Sequence, residues 1–282
     1  MANELTPVEK HGDYYFKRDD LYRPFPWSPV NGSKLRQCEL LVQKNTEKAR
    51  RGIVTGTSVL SPQAAITASV AKANGFPCMV MYGGTTIEAL HKKKYAKLCF
   101  ELGAVVEVVS RSGFQAVLTS KANEMAERDG LLHIRYGFDL MNNLDVFVNS
   151  VAKQASNIPD NVENIVVTVG SSITILGILC GIARYGLHVK NVYGIGCAPN
   201  RQEKIRHYSE AIEYETGLVV PLHVLRYIDA FNTLSGYKYE QTMKESYHGI
   251  NFHPRYEAKT FRWLRQQKLE GDTLMWITGS DI

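Results

Sequence analysis

The sequence predicts an α/β protein built on parallel sheets, and three observations carry that reading. Short β-branched runs alternate with longer amphipathic segments along most of the chain, a pattern that joins strands through helical crossovers. The helix boundaries carry chemical punctuation: Ser61-Pro62 sets an N-cap before a first-turn proline, and Gly75 and Gly103 follow two helical segments. No 20–50-residue repeat or low-complexity linker interrupts the alternation.

Taken in order, Ile53 to Thr55 reads as a strand, followed by a helix from Ser61 to Ala73. Cys78 to Tyr82 is the next strand, and a single helix is expected from Ile87 to Leu102. Val105 to Val109 precedes a helix from Phe114 to Arg128. Ile165 to Val169 runs into a turn and then an apolar helix from Thr174 to Arg184. Asn191 to Gly196 is a strand, and a last helix from Ala258 to Gln267 leads to a strand at Thr273 to Ile277.

Composition narrows the function classes. The 282 residues are 44% hydrophobic and 22% charged, enough to bury a sizeable core and unlike a disordered tail. No apolar run approaches the roughly 20 residues that a spanning helix needs, and the polar start lacks the apolar core of a secretory signal. A soluble cytoplasmic protein is expected, or one of the host-cell cytoplasm if the source is viral. The five cysteines are scattered without a C-x-x-C pair, and the eight histidines show no ligand spacing. Neither a disulfide framework nor a metal site is expected. The net charge of +5, with basic runs at His91 to Lys94 and Lys48 to Arg51, favours anionic ligands only weakly.

In open parallel sheets ligands bind beyond the carboxyl ends of strands, where loops meet helix N-termini. Two such loops are rich in small hydroxyl residues: Thr55 to Gln63 and Gly170 to Thr174. The second is the better phosphate cradle, because Gly-Ser-Ser leads into Thr174 at a helix start with free backbone N–H groups. It matches neither a P-loop nor the dinucleotide G-x-G-x-x-G pattern.

Four blocks, read together, carry a family resemblance. They are Lys17-Arg18-Asp19-Asp20 with Asn31-Gly32-Ser33-Lys34-Leu35-Arg36; Ser58 to Gln63; Gly170 to Gly177; and His253-Pro254-Arg255-Tyr256-Glu257-Ala258-Lys259. Together they resemble the tryptophan-synthase-β-type (fold type II) pyridoxal-phosphate enzymes. The motifs are nearest those of 1-aminocyclopropane-1-carboxylate deaminase and D-cysteine desulfhydrase. The resemblance spans Phe16 to Gly279. It implies two open, mostly parallel sheets flanked by helices, with the cofactor between a large domain (1–45 and 146–282) and a small one (46–145).

Position by position, the resemblance makes Lys34 the Schiff-base lysine of pyridoxal 5'-phosphate, in a G-G-N-K-x-R pattern where Ser33 replaces asparagine. Gly170, Ser171, Ser172, Ile173 and Thr174 correspond to the phosphate loop G-S-G-G-T, with Ser172 and Ile173 standing where the family has glycines. Glu257 takes the place of the glutamate at the pyridine nitrogen, where a carboxylate keeps the ring protonated and strengthens it as an electron sink. Tyr256 takes that of the tyrosine beside the substrate, Tyr237 resembles a second active-site tyrosine, and Thr278 belongs to a closing T-G segment near the ring. Ser61 corresponds to the serine that holds the substrate carboxylate, and Ser58 and Gln63 flank it as substrate-binding positions. Pro62 departs from the family's asparagine and loses both a side-chain donor and an N–H.

The implied activity is a lyase or deaminase acting at Cα of a small amino-acid substrate, in a homodimer. Two alternatives stay open. One is an enzyme of viral DNA thymidine hypermodification, processing an amino acid attached to a thymine base, for instance by decarboxylation. The other is a non-catalytic cofactor-binding homologue, against which the retention of both Lys34 and Glu257 argues.

Overall fold

The computed structural model describes residues 4–137, 143–199 and 201–281. Its strands are β1 (Val8–His11), β2 (Tyr14–Arg18), β3 (Ile53–Gly56), β4 (Cys78–Gly83), β5 (Val105–Ser110), β6 (Leu132–His133), β7 (Val162–Val169), β8 (Asn191–Gly196), β9 (Leu225–Ile228), β10 (Ser246–Tyr247), β11 (Ile250–Asn251) and β12 (Asp272–Ile277). Its α-helices are α1 (Ser33–Lys44), α2 (Thr46–Arg51), α3 (Gln63–Ala73), α4 (Ile87–Leu90), α5 (Lys94–Glu101), α6 (Gln115–Asp129), α7 (Leu144–Gln154), α8 (Ile173–Tyr185), α9 (Arg201–Thr216), α10 (Ala230–Thr233) and α11 (Glu257–Arg265).

Two main sheets form. The four-stranded one, β5-β4-β3-β6, is wholly parallel, and the six-stranded one runs β1-β2-β12-β7-β8-β9 with only the β1–β2 pair antiparallel. Strand β7 lies inside the larger sheet, and seven of its eight residues are buried, as a strand with parallel neighbours on both sides requires. β5 is an edge strand, and each of its residues is exposed or only half-buried instead. β10 and β11 make a separate two-stranded hairpin.

A helix that is apolar all round must be buried on all sides. Helix α3 meets that condition, since Gln63 through Ala71 are all buried. Its start follows the predicted chemistry: Pro62 is already helical in φ and ψ, and Ser61 Oγ accepts the Gln63 N–H at 3.3 Å.

The expected single helix from Ile87 to Leu102 is two helices. Thr86 caps α4 by accepting the Ala89 N–H, and Lys93 is extended, so α5 begins afresh at Lys94. Strands β1, β2, β6 and β9 and helices α1, α2, α7 and α9 were not expected from periodicity.

The Lys17-Arg18-Asp19-Asp20 block is a buried ionic anchor. Lys17 Nζ donates to the Thr6 carbonyl and to Asn157 Oδ1, both at 2.7 Å. Asp19 accepts from Thr6 Oγ1 at 2.7 Å, Trp276 Nε1 at 3.0 Å and Arg36 Nη2 at 3.3 Å. A buried charge persists only when paired and hydrogen-bonded, and these bonds tie β2, α1 and β12 together. Arg36 lies two residues after Lys34, so the anchor also fixes the start of α1.

Candidate active site

The site grows from the junction of two segments far apart in sequence. Gly32 has φ +92, and a Cβ there would collide with the Thr278 carbonyl oxygen. That oxygen accepts the Ser33 N–H at 2.8 Å, and Asn31 Oδ1 accepts the Ser280 N–H at 2.8 Å. The only side chain small enough to permit this approach is glycine's hydrogen. Lys34 follows in the first turn of α1.

Lys34 opens into a cleft at the junction of these segments. Gly170, Ser171, Ser172 and Thr174 line it, as do Tyr256, Glu257 and Thr278. Eight of the residues singled out in the sequence therefore meet in one place. Ile173 is buried beside them as the first residue of α8.

Burial lowers the Lys34 pKa, and Arg201 lowers it further, while Cys197 and Glu257 pull the other way. Glu257 is buried, and loss of hydration pushes its carboxyl up to about 7 against the hydrogen bonds from Thr278. Thr278 donates to Oε1 through its N–H at 3.1 Å and through its hydroxyl. Oε2 is buried with no partner.

Ser172 joins β7 to α8 with φ 77, a left-handed conformation unusual for a residue other than glycine. Its hydroxyl is buried and unpartnered. Gln37, one turn beyond Lys34 on α1, lines the cleft with both amide atoms unpartnered and buried. These orphaned groups fit pyridoxal phosphate: Glu257 Oε2 suits the ring nitrogen, and Ser172 with the N-terminus of α8 suits the phosphate.

Other expected residues stand elsewhere. Tyr237 is buried in the core with Phe16 and Phe261, and only its carbonyl acts, accepting from Lys259 Nζ at 3.3 Å. Ser58 Oγ accepts the Leu60 N–H at 3.3 Å, and Ser61 Oγ is used as the cap of α3. The Gln63 amide is fully engaged: Nε2 approaches Thr55 Oγ1, the Ile134 carbonyl and the Arg135 carbonyl, and Oε1 accepts the Gly137 N–H at 2.9 Å. From this segment Pro62 faces the cleft, with Ile66 one turn on.

Sequence reasoning passed over His253 and Tyr239. His253 lines the cleft, its Nδ1 accepts the Arg255 N–H at 3.2 Å, and burial holds its pKa down to about 4. Tyr239 receives the Tyr256 hydroxyl at 3.1 Å. The altered first residue of the His253-Pro254-Arg255-Tyr256-Glu257 block was a usable signal for the histidine.

The chain is 24% identical over 337 residues to the O-seryl-dTMP PLP-dependent decarboxylase of Salmonella phage ViI, covering 96% of this chain and 79% of that protein. Among solved structures, a homologue of ACC deaminase superposes with a TM-score of 0.77 at 22% identity, covering 98% of this chain and 89% of that one. The processed form of threonine deaminase isoform 2 from Solanum lycopersicum gives 0.65 at 14% identity, covering 98% and 84%. These structures share the fold type II architecture. The model of the family "Pyridoxal-phosphate dependent enzyme" matches residues 2–279. With Lys34, Glu257 and the Gly170–Thr174 loop gathered around one cleft, the chain belongs to the fold type II pyridoxal-phosphate-dependent enzymes.

Proposed function

We propose that this chain is a lyase that breaks a bond at Cα of an amino-acid substrate. The observation that carries the reading is the cleft shared by Lys34 and the buried Glu257, whose Oε2 has no partner. When bound, pyridoxal phosphate supplies an electron-withdrawing ring that accepts the electron pair left at Cα. Lys34 provides the primary amine that holds the cofactor and then carries a proton to or from Cα. Its lowered pKa increases the fraction in the neutral, nucleophilic form. Glu257 holds a proton at the ring nitrogen through Oε2, while Thr278 fixes Oε1. The Gly170–Thr174 loop binds the phosphate at the N-terminus of α8, and Tyr256 stands on the wall beside the substrate. The assembly proposed is a homodimer.

A second reading is favoured by Pro62: the substrate amino acid is carried on a thymidine nucleotide, and the bond broken is the one to its carboxylate. A helix start that clamps a carboxylate offers free N–H groups. Here Pro62 has none, and the Gln63 N–H is taken by Ser61. A reaction that releases the carboxylate as CO₂ gains nothing from holding it there. The phage relative is named for such a reaction on O-seryl-dTMP.

The test is borohydride reduction of the purified holoenzyme followed by peptide mapping. The visible absorbance should vanish and the adduct should lie on Lys34; an adduct on another lysine ends the assignment. Lys34→Ala should abolish turnover. Incubation with D- and L-amino acids, aminocyclopropane carboxylate and O-seryl-dTMP then separates the two readings by whether ammonia or CO₂ is released.

A further inference from the structure

Arg201 is the first residue of α9, four positions after Cys197 at the carboxyl end of β8. Its Nε is buried without a hydrogen-bond partner, and among the described residues no carboxylate pairs with its guanidinium. It lies within electrostatic reach of Lys34, Cys197 and Tyr136. A part-buried cation without a counter-charge is costly, and a second cation close to Lys34 adds to that cost. An anion brought by a ligand offsets both.

Beside this cation runs a row of phenols. Tyr256 lines the cleft next to Glu257 and donates to Tyr239 at 3.1 Å. The two rings are 5.9 Å apart and inclined by 57°. Tyr136, which is 40% exposed, lies within electrostatic reach of Tyr239. Tyr136 adjoins the phosphate loop, because a Cβ on the next residue, Gly137, would stand 3.8 Å from Ser171 Cβ. The row thus runs outward from the reacting end of the cleft.

A small free amino acid needs neither feature. A nucleotide needs both, since aromatic faces stack on bases and guanidinium groups grip phosphates. We propose that Arg201 and the Tyr136–Tyr239–Tyr256 row form a nucleotide subsite, the guanidinium taking a phosphate of the substrate and the phenols its base. This rests on the second reading above, in which the amino acid is carried on a nucleotide. The cofactor's own phosphate has a separate cradle at the start of α8.

The experiment is calorimetric titration of the holoenzyme with dTMP, thymidine and inorganic phosphate. dTMP should bind at least about tenfold tighter than thymidine, the usual worth of a charge-assisted phosphate contact. Arg201→Met should erase that difference and Arg201→Lys should restore part of it, with the cofactor absorbance unchanged in both. Tyr136→Ala should weaken thymidine and dTMP alike, by about tenfold for a lost stacking surface. The proposal is overturned if Arg201→Met leaves dTMP binding intact. It is also overturned if that variant loosens the cofactor instead, which would assign the guanidinium to the cofactor's phosphate. A wild-type protein that carries reducible cofactor on Lys34 but binds no nucleotide ends the subsite and leaves the lysine's role standing.

Discussion

Thr278 donates twice to Glu257, through its backbone N–H and its hydroxyl, and both bonds end on the same oxygen, Oε1. The carboxylate is thereby oriented, and its other oxygen is left bare inside the protein. Burial then dominates its ionisation and pushes it up to about 7.

The first prediction concerns stability against pH in the cofactor-free protein. Glu257 titrates at about 7 when folded and near 4.5 when unfolded, so between those values the unfolded chain ionises first. Its burial therefore costs nothing below that window, costs progressively more through it, and reaches a plateau above about 7. His253, held down to about 4 from 6.5, gives the opposite slope and masks the effect in wild type. The difference between Glu257→Gln and wild type isolates it. The variant should gain from nothing at the acid end to on the order of 3 kcal/mol above neutrality, measured by urea unfolding. A difference that does not change with pH would show that Glu257 is not held protonated.

A second prediction follows from Ser172. Its φ of 77 places a Cβ where glycine fits without strain. Ser172→Gly should raise the unfolding free energy of the cofactor-free protein by about 1 kcal/mol. The same change should weaken cofactor binding, because it removes a buried hydroxyl that has no partner within the protein. Urea unfolding and cofactor titration check the two halves separately.

For Gln63 the expectation is structural. Gln63→Leu leaves the Arg135 carbonyl and the Gly137 N–H without their partner, while the Ile134 carbonyl keeps only its bond from Thr55 Oγ1. The cost should be about 3 kcal/mol, as for unsatisfied buried polar groups. Were Gln63 a substrate ligand instead, the variant would unfold like wild type and show only a raised KM.

How much of this was legible in sequence depends on how far apart the partners lie. The β7–α8 turn was readable because strand, Gly-Ser-Ser and helix start are contiguous. Glu257 and Lys34 were readable because their neighbours match a family pattern. The work of Gln63 was not, since its partners other than Thr55 lie 71 and more positions away. Arg201 and Tyr239 stand in no motif and gain meaning only where β8 and the following loops converge. The break at His91 to Lys93 escaped notice because amphipathic spacing continues across it, while a cap at Thr86 and an extended Lys93 decide the outcome.

The parallel pairing of β2 with β12 and the contact of Gly32 with Thr278 have a consequence for synthesis. The lysine emerges from the ribosome early, but the threonine that orients Glu257 comes some 240 residues later. A nascent chain therefore cannot complete its cofactor pocket until residue 280 has cleared the exit tunnel. Loading with pyridoxal phosphate waits for that point, and a chain stalled short of it carries an amine with no carboxylate aligned to it.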